Sequence, residues 1–299
     1  MNIAIQTEGL TKIFGKQMAV NNLNMEVKIG SVYGFLGPNG AGKTTTIKML
    51  LGLIRSSCGT SSLLGCNSTK LFPQLKQKIG YVAEDQRMYL WMRVSEIIKY
   101  TAPLYPTWDK NYCNELITKL ELPMDKKIGE LSKGMKIKLA LLLAISYKPN
   151  LLILDDPSSR LDPVARHEIL ENIISIIDEG NRTVFFSSHL LDEVERVADD
   201  IGIIDRGKLK ISMPLQVLKS SVKKVRMIFD NQIPEILDIK GILSRKRQGR
   251  ELSITIENFD DGILEKLKKY CTKTEVIDLS LQDIFIEYVH KLKREDKGL

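Results

Sequence analysis

The chain opens on short alternations of apolar and polar residues, IAIQTEGLTKIF and then MEVKIGSVYGFLG, within residues 1–36. Successive side chains of a strand point to opposite faces, so this rhythm predicts antiparallel strands feeding into a buried one. A glycine-rich turn follows from Gly37 to Thr45, and TTIKMLLGLI after it has helical spacing. Between Trp91 and Pro149 the pattern is mostly helical, in NYCNELITKLEL and SKGMKIKLALLLAI. LLILDD and TVFFSS then run continuously apolar and end in polar residues. Such runs predict parallel strands covered on both faces, with RHEILENIISIIDEG as the helix crossing between them. The composition shifts around Pro214, and residues 222–299 predict strand, strand, helix, strand, helix, a small α+β unit.

Composition narrows the class. With 299 residues and 43% apolar content, the chain can fill one large α/β domain and a smaller one. Its 20 Gly, 10 Pro and 4 Cys exclude collagen-like and disulfide-scaffold classes. The N-terminus lacks the cationic start, apolar core and cleavage site of a signal peptide. The longest apolar run, Leu139 to Ile145, falls far short of the ~20 residues of a membrane-spanning helix. Any work at a membrane is therefore expected to need another chain that crosses it. Cys58, Cys66, Cys113 and Cys271 form no CxxC pair, which predicts free thiols and no zinc site. The net charge of +7 is spread along the chain and suits either nucleic acid or an anionic membrane face.

The turn GPNGAGKTT carries the first specific chemistry. Gly37, Gly42, Lys43 and Thr44 fit G-x-x-x-x-G-K-[ST] between a strand-like and a helix-like run. Glycines let the backbone curl so that N–H groups point at phosphate oxygens, at the positive end of the following helix. Lys43 is expected to reach the β- and γ-phosphates, and the Thr44 hydroxyl to ligate Mg²⁺. The candidate nucleotide contacts in this turn are Gly37, Asn39, Gly40, Ala41, Gly42, Lys43, Thr44 and Thr45.

Over residues 1–214 the motifs and their order resemble the ATP-binding subunit of an ABC transporter. Asn39 and the doubled threonine of GPNGAGKTT are typical of that family, ELSKGMKIKLAL resembles its signature, and LLILDDPSSRLDP its second nucleotide motif and D-loop. FFSSHLLDEVERVADDIGIIDRGKL resembles the segment carrying the switch histidine. The resemblance implies an α/β P-loop NTPase fold: a RecA-like core with an antiparallel β subdomain and a helical subdomain at about 88–148. Residues 222–299 would be an accessory or regulatory α+β domain. It implies Asp155 as a Mg²⁺ ligand, Asp156 as general base or water-positioning group, and His189 against the γ-phosphate. Ser132 and Gly134 would bind the γ-phosphate on a second subunit, homologous or identical, with Asp162 at that interface; Ser132 as a plain helix cap is compatible with this. Phe14 stands where the family stacks a ring on adenine, or packs in a core. The Q-loop residue, also a metal candidate, aligns with Glu84, with Gln86 two positions on. His167 and His290 are read as ordinary surface or core residues.

The sequence also departs from the family. Asp156 stands where glutamate is usual, and Arg160 replaces a small D-loop residue. Asp156 and Glu84 together predict firm ATP binding with slow hydrolysis. RMYLWMRVSEIIKYTAPLYPTWD, residues 87–109, resembles drug-export and acetoin-utilisation-type ATPases. There a groove beside the Q-loop takes a short permease helix, a use that Tyr89, Trp91 and Trp108 would suit unless they pack between helices. The leading expectation is an ATPase subunit on the inner face of the cell membrane, driving a separate permease, with no nucleic-acid partner. A soluble ABC-type ATPase acting on nucleic acid or the ribosome, and an ATP-binding regulator with weak hydrolysis, are the other two readings.

Overall fold

The structure is a computed structural model that describes residues 3–70, 72–158, 161–178, 182–230, 233 and 239–295. It divides into two compact units, Met1–Ser212 and Met213–Leu299.

The first unit begins with β1 (Ile3–Phe14), β2 (Gln17–Lys28) and β3 (Val32–Leu36), then α1 (Lys43–Leu50), β4 (Cys58–Leu63), β5 (Cys66–Asn67), α2 (Pro73–Lys76) and β6 (Ile79–Val82). Helices α3 (Val94–Thr101), α4 (Lys110–Lys119) and α5 (Lys133–Ile145) follow. Then come β7 (Leu151–Asp155), α6 (Pro163–Asp178), β8 (Thr183–Ser188), α7 (Leu191–Val197), β9 (Asp200–Asp205) and β10 (Lys208–Pro214). The predicted alternation in residues 1–36 becomes β1 and β2, which join the unpredicted strands β4 and β5 in an antiparallel sheet of order β2-β1-β4-β5. The core sheet has the order β10-β9-β3-β8-β7-β6, and its pairs from β9 to β6 are parallel.

Every residue of β3, β7 and β8 is buried, which is why these strands read as unbroken apolar runs. Tyr33 stacks on Phe185 with ring centroids 5.7 Å apart, and Phe35 meets the same ring at 5.3 Å. The carboxyl ends of β3, β7 and β8 lie side by side, because Leu36 pairs with Ser188 and Asp155 with Ser187. The residues that matter for chemistry therefore cluster at one edge, beyond the carboxyl ends of the strands. The helical region is anchored to this sheet by Tyr147, whose hydroxyl donates to the Ile79 carbonyl at 2.9 Å.

The second unit holds α8 (Leu215–Ser221), β11 (Lys223–Ile228), β12 (Ile242–Gln248), β13 (Glu251–Ile256), α9 (Asp261–Lys268), β14 (Lys273–Asp278) and α10 (Leu281–Glu295). Its antiparallel sheet has the order β12-β13-β11-β14. Among the described residues three strands precede α9, not the two expected. Of these, β12 reads ILSRKRQ and lies at a sheet edge, where charged side chains replace the alternation that betrays a half-buried strand. The division at Ser212 precedes the expected boundary at 214 and assigns α8 to the second unit. Leu281 and Ile284 are buried on α10. Among the described residues no helix is long and apolar enough to cross a membrane, and all four cysteines are free.

Candidate functional site: a phosphate-loop cavity

The turn between β3 and α1 is shaped by its glycines. Gly42 has φ 110°, and a Cβ there would meet the Ala19 carbonyl oxygen at 2.5 Å. A Cβ on Gly37 would lie 2.3 Å from the Ile204 carbonyl oxygen. Only glycine fits both places. No side chain caps α1, so its first-turn N–H groups are left for an anion.

This turn forms one wall of a cavity of about 760 Å³. Asn39, Gly40, Gly42, Lys43, Thr44 and Thr45 line that wall, whereas Ala41 is buried and Gly37 lies behind it. Lys43 Nζ donates to the carbonyls of Gly37 at 2.7 Å and Pro38 at 3.2 Å. Burial pulls the pKa of Lys43 below the ordinary lysine value, and the charges of Asp156, Asp155 and Glu84 oppose that shift.

Beside the turn, the end of β7 supplies carboxylates. Asp155 is 1% exposed, and its Oδ1 accepts from the Thr44 hydroxyl at 3.0 Å and from Ser187 at 2.9 Å. Burial raises its carboxyl above the usual range, with the two hydrogen bonds pulling the other way. Asp156 follows in a left-handed backbone, φ 47°, fixed by its N–H donating to the Ser187 hydroxyl and carbonyl at 3.0 and 3.1 Å. Its Oδ2 lies 2.8 Å from His189 Nδ1, and its buried Oδ1 has no hydrogen-bond partner among the described residues. His189, at the end of β8, lines the cavity beside it.

Phe14 is 49% exposed and lines the cavity, so the core alternative for this ring falls. Lys12 Nζ sits 4.9 Å from its centroid. Glu84 also lines the cavity, while Gln86 accepts from the Ala83 N–H at 3.1 Å and lines a separate groove. Ser132, Gly134 and Asp162 stay outside the cavity. Ser132 Oγ caps α5 by accepting from Met135 N at 3.1 Å, and Asp162 caps α6 through the N–H groups of Val164 and Ala165. His167 is exposed, near Glu171. Arg160 and the side chain of His290 lie outside the described residues. Sequence reasoning missed Ser187, Arg206 and the serine pair Ser158 and Ser188. The paired serines of TVFFSS, directly before His189, were the available signal.

A family model described as ABC transporter matches residues 20–159. The chain is 40% identical over 226 residues to the bacitracin transport ATP-binding protein BcrA of Bacillus licheniformis, covering 75% of this chain and 74% of the relative. It is 35% identical to the Nod factor export ATP-binding protein I of Burkholderia orbicola, covering 74% and 75%. The chain belongs to the ABC transporter ATP-binding family. A solved ATP-binding subunit of an ABC transporter superposes with a TM-score of 0.63 at 26% identity, covering 71% of this chain and 90% of that one. The chain carries the P-loop NTPase fold of ABC ATPase cassettes and binds and hydrolyses ATP. The YtrB ATP-binding protein of Bacillus subtilis is 28% identical and matches across 94% of this chain and 97% of its own length, second unit included.

Proposed function

We propose that this chain is the motor subunit of an exporter, pairing with a second ABC ATPase subunit around ATP and driving a separate permease at the inner membrane face. The observation that carries this reading is a groove of about 380 Å³ between the core and the helical region, lined by Leu53, Tyr81, Gln86, Tyr105, Leu143 and Tyr147. Such an aromatic and apolar groove suits a short amphipathic helix from a partner. Tyr89 and Trp91, 53% and 70% exposed, add anchors of the kind that concentrate binding energy. Trp108 instead packs against Tyr105 at 6.5 Å. The transport and export relatives support this reading over action on nucleic acid or the ribosome.

Within the site, Lys43 holds the β- and γ-phosphates, Phe14 stacks on the base, Asp156 orients the attacking water and His189 meets the γ-phosphate. A buried carboxylate against a threonine hydroxyl fits a hard divalent cation, so Thr44 and Asp155 would hold Mg²⁺, with Glu84 lining the same cavity as Thr44. Bound there, Mg²⁺ would neutralise charge on the phosphates. Ser132, Gly134 and Asp162 serve the second subunit's nucleotide, which fits their absence from this chain's own cavity. Residues 1–214 are the cassette and 222–299 an accessory domain. Affinity purification from detergent-solubilised membranes tests the assignment. An integral membrane protein should co-purify; nucleic acid or ribosomal proteins instead would overturn it.

A further inference from the structure

Glu193 has no part in the roles above. A glutamate in the first turn of a helix ordinarily stays in solvent and favours the helix dipole. This one is 5% exposed and turned inward. Its Oε2 accepts from Ser158 Oγ at 2.9 Å and from Ser188 Oγ at 3.0 Å, and both serines are fully buried. Its Oε1 is buried with no hydrogen-bond partner among the described residues. Burying a carboxylate is costly unless its oxygens are satisfied, so the position demands a reason.

The two serines belong to the two segments that meet at the reacting end of the cavity. Ser188 precedes His189, and its hydroxyl also accepts from Leu190 N at 3.0 Å. The backbone on both sides of His189 is therefore held through one hydroxyl that Glu193 holds in turn. Ser158 lies two residues beyond Asp156 on the chain leading to Asp162. Arg166 secures the far side of that loop, donating from Nη2 to the Leu161 carbonyl at 3.2 Å and from its backbone to that of Asp162 at 2.9 Å. Its positive charge also acts on Glu193, against the burial that raises the glutamate's carboxyl.

We propose that Glu193 is a positioning residue that ties the chain entering the Asp162 loop to the backbone around His189, so that His189 is set for turnover only when that loop is in place. This inference rests on the reading of the cavity as a two-subunit ATP site. It makes α7 the brace between a subunit-interface loop and the histidine.

The test is ATP turnover and ATP binding by the full chain, comparing wild type with Glu193→Ala, Glu193→Gln and Ser158→Ala. Glu193→Ala should lower kcat on the order of 100-fold, the cost of displacing a reacting group by about 1 Å, and leave KM for ATP unchanged. Glu193→Gln should recover most of the rate, because its carbonyl oxygen still accepts from both serines. Ser158→Ala should show a smaller fall in kcat with the same unchanged KM, and it carries the test if Glu193→Ala fails to fold. In a His189→Ala background, Glu193→Ala should add no further loss. A wild-type kcat in Ser158→Ala and Glu193→Ala, a loss residing in KM, or full additivity with His189→Ala would overturn the proposal. Absence of ATP binding by the wild-type chain would instead overturn the nucleotide-site reading beneath it.

Discussion

Replacing Asp156 with glutamate tests whether the length of this side chain limits turnover. The substitution carries the carboxylate outward by about 1.5 Å, one carbon–carbon bond. Two features of the structure oppose the change. The backbone at Asp156 is left-handed, φ 47°, a conformation aspartate tolerates better than glutamate. The present carboxylate is also held 2.8 Å from His189. One feature favours it, since the side chain faces a cavity of about 760 Å³ into which an added methylene can extend. The cost to stability should therefore lie at the low end of an overpacking penalty, about 1 kcal/mol, or a melting shift of about 2–4 °C for a unit of this size. Against that, a 1 Å error in placing a reacting group costs about 100-fold, so Asp156→Glu should raise kcat by about tenfold to 100-fold. ATP affinity should hardly change, because Lys43 and the phosphate turn are untouched. Phosphate release under saturating ATP, alongside an ATP-binding titration, measures both. An unchanged or reduced kcat with intact binding would refute the reasoning.

Two further outcomes follow from the same geometry. Asp155→Asn should cut kcat by about 100-fold or more. Burial raises this carboxyl above its ordinary value, so the folded state binds more protons than the unfolded one between those two pKa values, and nucleotide-free stability falls as pH rises through that window. The asparagine variant should therefore melt higher than wild type at neutral pH, with the gap closing in acid; thermal melts across pH check this, and a neutral variant melting lower than wild type would contradict it. Phe14→Ala should weaken ATP binding by about 1–3 kcal/mol, the worth of one base stack, with kcat nearly unchanged; a loss confined to kcat would remove Phe14 from the base contact.

The phosphate turn was legible because its chemistry is local: a run of nine residues fixes the loop, the lysine and the helix start. The buried strands were legible for the same reason, since β7 and β8 are apolar along their whole length. What the sequence hid was tertiary. Glu84 and Gln86 are two residues apart in one loop, and only a hydrogen bond from Ala83 N shows that Gln86 turns back on its own backbone. Ser187 has no periodicity to mark it, yet it holds both Asp155 and the Asp156 N–H. In the second unit the edge strand β12 is hard to read because four cations around its hairpin, Arg245, Lys246, Arg247 and Arg250, mask the strand rhythm.

ATP binding through the phosphate turn depends on Lys43 more than on any other side chain of the cavity. Its Nζ now rests on the carbonyls of Gly37 and Pro38, 2.7 and 3.2 Å away, poised at the wall where the phosphates would lie. Calorimetric titration of the full chain with Mg-ATP should give saturable binding for wild type and none measurable for Lys43→Ala at an unchanged melting temperature. Undiminished binding by Lys43→Ala would show that the phosphate turn is not where ATP binds.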